Sequence, residues 1–407
     1  MENIAQLDSS VSNKTTSPDI LVISRTFLPK EGGIEEYVYN RCLQDPERVI
    51  VLASSCAGDR NFDQNQPFPV HRWPLPAFLN SLGGLGSILK QLLNMAWSFV
   101  LAIKLYSRYR YHSIEWGHGY DFLSLLLLSY LLPVRCFVYL HGNDVLCPLR
   151  NPVLRSLFEW TLRRTHGIVC NSSFTRDYLK DHFQFDTPTH VINPTVRPEK
   201  FGIKGTLGCT DDWRSEVRKA HNIPETAVVI LSVGRLVQRK GFDRVIENLP
   251  TLLAEGLDVH YLICGRGSME PELRALTSRL GVENRVHFAG FVPDEQLAHY
   301  YAACDIFAML TFYDAKAASI EGFGIVYVEA GYFGKPVIAS RVGGVVDAVR
   351  HEESGLLVDP NAADQIHSTL RRLCQDQQLR DRLGRKGKEL ASHKTLHRSL
   401  YLSEIPA

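Results

Sequence analysis

The chain has 407 residues, with 45 Lys and Arg against 44 Asp and Glu and a net charge of +1. That length suits two domains of ordinary size, and 45% hydrophobic with 22% charged residues is the composition of a globular protein with a sizeable core. Near-neutrality excludes a global electrostatic case for nucleic acid, and nine scattered cysteines without a C-x-x-C pair exclude a disulfide framework or zinc module, pointing to reduced thiols in the cytoplasm.

Residues 1–18 are polar, rich in Ser, Thr and Asn, and are expected to be disordered, with no signal peptide. Strands are then expected at Ile20–Ser24, Val49–Ala53, Ser113–Trp116, Phe137–Leu140, Ile168–Cys170 and His190–Ile192. Helical patterns fill Ile34–Cys42, Ile88–Tyr109, Phe122–Leu131, Val153–Arg164 and Ser173–Asp181. Within this half, residues 64–114 contain no Asp or Glu but carry Arg72, Lys90, Lys104, Arg108 and Arg110 among Trp73, Phe78, Leu79, Leu82, Leu85, Trp97 and Phe99. That span reads either as contact with an anionic membrane surface or as a core helix whose last turn sets cations against its dipole. Its apolar runs are shorter than the roughly 20 residues of a membrane-spanning helix, so no crossing is expected.

Prolines, glycines and mixed charge over residues 194–226 read as a linker with a short helix. Alternation restarts with strands at Val228–Val233, Val259–Cys264, Val286–Phe288, Ile306–Leu310 and Pro336–Ala339. Helices are expected at Phe242–Leu253, Glu270–Leu280, Glu295–Ala303 and Ile325–Phe333, and from Gln365 onward. Such alternation means parallel sheets covered on both faces. The architecture expected is α/β: two doubly wound, Rossmann-like domains facing a central cleft, with ligands at strand C-terminal ends. Their bounds are residues 19–195 and 227–385, joined by 196–226.

Several strand-end loops carry chemistry. Gly32 and Gly33 precede a helix, an anion-friendly start that lacks the G-x-G-x-x-G spacing of a dinucleotide site. His141-Gly-Asn-Asp144 ends an apolar strand; His141 could meet a sugar hydroxyl or a phosphate, or be a structural partner of Asp144. In Gly234-Arg235-Leu-Val-Gln-Arg-Lys240-Gly241, Arg235 and Lys240 can converge on a diphosphate, Arg as a planar fork and Lys as a point charge. The turns Gly265-Arg266-Gly267 and Gly290-Phe291-Val292-Pro293 offer backbone edges to a base. Glu321-Gly-Phe-Gly-Ile-Val-Tyr-Val-Glu329 sets a carboxylate on either side of a glycine loop that opens a helix. Carboxylates accept from sugar hydroxyls and the helix start favours an anion, so this segment reads as a nucleotide-sugar cradle. Alternatively it is a plain turn in which Glu329 complements the dipole. With no Asp-x-Asp and no ligand-spaced His/Cys cluster, Arg235 and Lys240 stand in for a divalent ion.

Together, residues 27–37, 141–144, 171–177, 233–242, 290–292, 321–330 and Gly343-Gly344 resemble retaining glycosyltransferases of the GT-B fold, family four. The resemblance implies that Arg235 and Lys240 hold the donor diphosphate, Glu329 the ribose, and the backbone at Val292 the base. It implies that Glu321 with Gly322, Phe323, Gly324 and Ile325 holds the transferred sugar, while His141 lies near its reacting face and Gly33 near the phosphate. It also implies a C-terminal segment, 386–407, returning to the first domain, with Gly387 to Leu400 in the crossing. Gly32-Gly33-Ile-Glu, residues 62–74 and 319–327 are similar to mannosyltransferases that elongate phosphatidylinositol mannosides. Two departures stand out: Val191-Ile-Asn-Pro-Thr-Val lacks the usual Asn-Gly, and Leu310-Thr-Phe-Tyr-Asp replaces a Pro-Ser turn.

The function expected is therefore metal-independent retaining transfer of a hexose from a nucleoside diphosphate sugar, the donor substrate, with no cofactor. The acceptor is a lipid or an oligosaccharide. The enzyme would be cytoplasmic, peripheral on the inner face of the plasma membrane, with no nucleic-acid partner. Alternatives on the same fold are a sucrose-type synthase with a soluble acceptor, a nucleotide-sugar epimerase, or a nucleotide-sugar-binding regulator without turnover.

Overall fold

The computed structural model describes residues 18–76, 83–205, 207–208, 210–392 and 396–402. Residues 1–17 of the expected disordered segment lie outside these, as do Phe78, Leu79 and Leu82 of the acid-free span and residues 403–407. The first half folds as β1 (Ile20–Ser24), β2 (Val49–Ser54), β3 (Val70–Trp73), β4 (Ser113–Trp116), β5 (Arg135–Leu140), β6 (Gly167–Cys170) and β7 (Thr189–Val191). They form one sheet in the order β3-β2-β1-β4-β5-β6-β7, with every pair parallel and Ile20 opposite both Val49 and Ser113. Side-chain alternation splits its core in two: Leu21, Ile23, Ile50 and Leu52 face one helical layer, while Ile20, Val22, Val49 and Val51 face the other.

The second half gives β8 (Val228–Val233), β9 (Val259–Cys264), β10 (Val286–Gly290), β11 (Ile306–Met309), β12 (Val337–Ser340) and β13 (Gly355–Val358). Their order is β10-β9-β8-β11-β12-β13, again all parallel. These are the two doubly wound α/β domains expected, and the strand order reverses between β1 and β4 and between β8 and β11. Both reversals open at strand C-terminal ends, where such sheets bind ligands. The 196–226 segment supplies the helix Asp211–Ala220, and its Phe201, Ile203, Val217 and Ile223 belong to the second core. The eight described cysteines are unpaired.

The acid-free span forms a 27-residue helix, Gly83–Tyr109, long and apolar enough to cross a bilayer by length and composition, where run lengths alone predict none. Over most of its length the polarity is inverted: Gly86, Asn94, Ser98 and Ala102 face the domain, whereas Leu85, Ile88, Leu92, Trp97, Val100 and Ile103 are exposed; towards its end Leu105, with Phe99, Leu101, Tyr106 and Tyr109, packs on the core. Asn94 Oδ1 accepts the Trp73 indole N–H at 2.9 Å and Met95 O the Ser124 hydroxyl at 2.9 Å, tying the polar face down.

The terminal helix Gln377–Ala391 stays with the second domain, its Gly387 facing Gly331 of the helix Ile325–Tyr332. Residues 396–402 reach the first. Arg398, fully buried, donates through Nε and Nη2 to Glu115 at 3.1 and 3.0 Å, and the hydroxyls of Tyr139 and Tyr401 donate to the same carboxylate at 2.6 and 2.7 Å. Arg398 and Arg41 hold the Glu115 carboxyl below its usual range against the upward push of burial.

Candidate functional site

The cleft walls are loops that follow β1, β4, β5, β8 and β11. On the first wall, β5 runs into His141, whose backbone N–H donates to Asp144 Oδ1 at 2.8 Å while Asp144 Oδ2 accepts from Gly119 N at 2.8 Å. Asp144 thus fixes two turns, and the pairing with His141 involves the backbone, not the ring. The imidazole Nε2 lies 2.9 Å from Gly117 O. A carbonyl only accepts, so Nε2 carries the proton, and a neutral ring offers Nδ1 to a hydroxyl as an acceptor.

The second wall meets it closely. A Cβ on Gly322 would lie 2.0 Å from His141 O, so only glycine lets the two domains approach here. Ile320 N donates to Asn143 Oδ1 at 2.8 Å, and Asp347 Oδ2 accepts Ser173 N at 2.5 Å across the same seam. Gly324, at φ +85°, turns the chain into Ile325–Tyr332, and Gly33 of the first domain sits opposite Ile325, where an added Cβ would be 3.8 Å from Cγ2. Phe323 is buried beneath this turn. Gly344 N braces the loop from below by donating to Glu321 O at 2.9 Å.

Charge gathers at Glu321. Its Oε2 accepts from Lys240 Nζ at 2.6 Å and from Arg239 Nη1 at 3.0 Å. Burial pushes the carboxyl up, but Lys240 and Arg239 outweigh it and hold the group at about 2. Lys240 is itself lowered by burial, with Glu321 opposing the shift. Arg235 is exposed at the rim of the same loop. The site residues His141, Gly33, Glu321, Gly322, Gly324, Ile325 and Lys240 therefore converge on one seam.

Glu329 is one turn deeper and buried. Its Oε1 accepts from Lys200 Nζ at 2.7 Å and its Oε2 from Tyr301 OH at 2.8 Å. Burial lowers Lys200, yet Glu329 and Asp294 raise it overall, so this lysine stays charged. Val292 is half-buried against the second core, beside the exposed Phe291. Sequence reading passed over Arg239, Lys200, Tyr301 and Asp347. Arg239 lay inside the recognised cationic loop, whereas nothing local marks Lys200 or Tyr301 as neighbours of Glu329.

Two family models match the chain: Glycosyltransferase Family 4 over residues 31–200 and Glycosyl transferases group 1 over residues 214–390. It is 28% identical over 392 residues, 93% of each chain, to a GDP-mannose-dependent monoacylated alpha-(1-6)-phosphatidylinositol monomannoside mannosyltransferase of Corynebacterium glutamicum. A GDP-mannose-dependent alpha-(1-6)-phosphatidylinositol monomannoside mannosyltransferase of Mycobacterium tuberculosis is 30% identical over 258 residues, 63% of this chain and 64% of its own. Among solved structures, Anabaena HepE in complex with UDP and glucose superposes with a TM-score of 0.71 at 20% identity, over 92% of this chain and 94% of its own. WaaG, a glycosyltransferase involved in lipopolysaccharide biosynthesis, superposes at 0.66 and 18% identity, over 95% and 98%. Both share the two-domain GT-B architecture.

Proposed function

The chain belongs to the family 4, group 1 glycosyltransferases, and we propose that it moves a hexose from a nucleoside diphosphate sugar to a lipid-linked acceptor, with retention and without a divalent ion. GDP-mannose is the first donor to test, because the mannosyltransferases above carry that donor in their names. One observation carries the reading: Glu321, Lys240 and Arg239 form a charged group on the seam where Gly322 meets His141. As the bond from the anomeric carbon to the diphosphate breaks, negative charge builds on the leaving oxygens. Lys240, Arg239 and Arg235 offer fixed positive charge there, which stabilises a transition state more than a ground state. Glu321 Oε1 and the Nδ1 of His141 accept from sugar hydroxyls and orient the ring. Glu329, steadied by Lys200 and Tyr301, receives the ribose, and the backbone at Val292 the base. Retention is inferred from the family resemblance alone.

The outward apolar face of Gly83–Tyr109, with Lys90, Lys104 and Arg108 and no acid, supports a lipid acceptor presented at an anionic membrane surface on its cytoplasmic side. Thermal shift against UDP, GDP and ADP sugars, followed by transfer assays in chelator and product NMR, tests the donor and the stereochemistry. GDP-mannose should raise the midpoint by mass action and support transfer in EDTA with the axial linkage kept. No shift with any donor, or activity lost to chelator and restored by magnesium, would overturn the reading. Flotation with anionic vesicles at low salt separates the lipid-acceptor version from a soluble sucrose-type synthase or an epimerase, which would stay at the bottom.

A further inference from the structure

The carboxylate of Asp347 belongs to the second domain but takes its hydrogen bonds from the first. It sits on the short helix Val345–Ala348; its Oδ2 accepts Ser173 N at 2.5 Å and Asn193 Nδ2 at 3.3 Å, and its Oδ1 accepts the Ser173 hydroxyl. Among the described residues, no donor to it comes from its own domain. Ser173 opens the helix Ser173–His182, whose first N–H groups have no partner within the helix. Ser172 takes the Thr175 N–H on its Oγ at 3.2 Å, and Asp347 takes that of Ser173. The cap of this first-domain helix is therefore completed from the second domain, with a negative charge where the helix dipole favours one. When the walls part, the carboxylate and its donors must return to water.

The same segment is joined to the loop that carries Glu321. Three residues before Asp347, Gly344 N donates to Glu321 O at 2.9 Å. A Cβ on Gly344 would lie 1.8 Å from Gly322 O and 2.7 Å from Ser172 Oγ, so this glycine is held between that loop and the capped helix start. On the first wall, Asn193 Nδ2 also donates to Asn171 O at 3.1 Å, just beyond β7 where the chain leaves the domain. Asp347 thus grips the helix start and the exit from β7 together, and it takes no part in the donor contacts proposed above.

We propose that Asp347 is a positioning residue that latches the two walls: by capping Ser173–His182 from the opposite domain it seats the Glu321 loop against His141 and so orients the sugar for transfer. This rests on the glycosyl-transfer reading above and adds to it the residue that holds the reacting arrangement together.

The test approaches the latch from both sides in the full chain. Asp347→Ala removes the acceptor. Ser173→Pro removes both Ser173 donors, at a first helical position that tolerates proline and after a residue already in extended backbone. Each should lower kcat at least fivefold with the donor selected in the screen above. The double variant should lie within twofold of the lower single, because both changes delete one contact. Small-angle scattering with a saturating nucleoside diphosphate (GDP, UDP or ADP, as the screen selects) should give each variant a larger radius of gyration than wild type. Loss of a plain helix cap would not move that radius. If Ser173→Pro yields no folded protein, Ser173→Ala, which deletes the hydroxyl donor alone, takes its place with a fall of at least twofold expected. A smaller fall in either single, a double variant more than twofold below the lower single, or wild-type radii in the variants overturns the latch. Failure of wild type to bind any nucleoside diphosphate overturns the transferase reading instead, and the radii of the free proteins then decide the latch.

Discussion

Lys240→Met removes one of the two cations seated on a single oxygen of Glu321. Lys240 Nζ is 2.6 Å and Arg239 Nη1 3.0 Å from Oε2, and all three side chains are only 10–12% exposed. Breaking a buried pair outright costs about 3–5 kcal/mol; because Arg239 remains, a loss of about 1–3 kcal/mol is expected here. The catalytic effect is separate and larger. A fixed donor missing from the developing leaving-group charge costs about 3–4 kcal/mol of barrier, roughly a hundred- to a thousand-fold in kcat.

The double variant Lys240→Met/Glu321→Gln separates the two effects. It removes the Lys240–Glu321 pair and leaves buried Arg239 only the amide oxygen of the new side chain as acceptor, so stability should stay within about 1 kcal/mol of the single variant and not return to wild type, while kcat stays at or below the single variant. Denaturant unfolding gives the first quantity, and product formation at saturating donor gives the second. A Lys240→Met enzyme within threefold of wild-type kcat would refute the reasoning. So would a double variant that regained activity, since Lys240 would then act only by satisfying Glu321.

The pH dependence has a defined sign. Glu321 is held at about 2 against an ordinary 4.5, so its contribution is complete above 4.5 and is lost as pH falls toward 2; the stability gap between wild type and Glu321→Gln should shrink steadily across that window in unfolding curves. Lys200→Met leaves Glu329 with Tyr301 as its hydrogen-bond partner, and GDP should bind about tenfold more weakly by calorimetry, with a smaller loss for 2′-deoxy-GDP. Arg398→Met strips Glu115 of its main cation and should cost about 3–5 kcal/mol and expose the terminal segment to protease; adding Glu115→Gln should restore much of the loss.

Local pattern was enough for most of the scaffold. Ile20–Ser24, Ser113–Trp116, Val228–Val233 and Val259–Cys264 have the bounds their β-branched runs suggest, because both faces of a parallel strand are buried. The two strands not anticipated are four-residue edges. Val70–Trp73 is interrupted by His71 and Arg72, both only half-buried, and Gly355–Val358 follows directly on a polar turn. The loops of the cleft were legible as glycine, cation and carboxylate clusters, but their partners were not. Glu321 meets Lys240 across 81 positions, Glu329 meets Lys200 across 129, and Glu115 meets Arg398 across 283. No periodicity encodes such pairs. The inverted helix Gly83–Tyr109 shows the same limit, since composition alone left its apolar face open to core or surface, and only the packing of Asn94 and Ser98 tells which side turns inward.

The linker explains why the donor half of the site need not act alone. Within one short turn, Arg197 donates to Glu36 of the helix that follows Gly33, at 2.7 and 3.2 Å, and Lys200 donates to Glu329 in the second domain. Both carboxylates are buried, so neither pair can open without leaving a charge uncompensated. The turn is thus clamped to both walls at once, and a change in the carboxylate proposed to receive the ribose bears on the helix that starts at Gly33. Domain approach at Gly33 and Ile325 and orientation of Glu329 are then one mechanical unit, and separation of the walls should weaken donor contacts on both sides together.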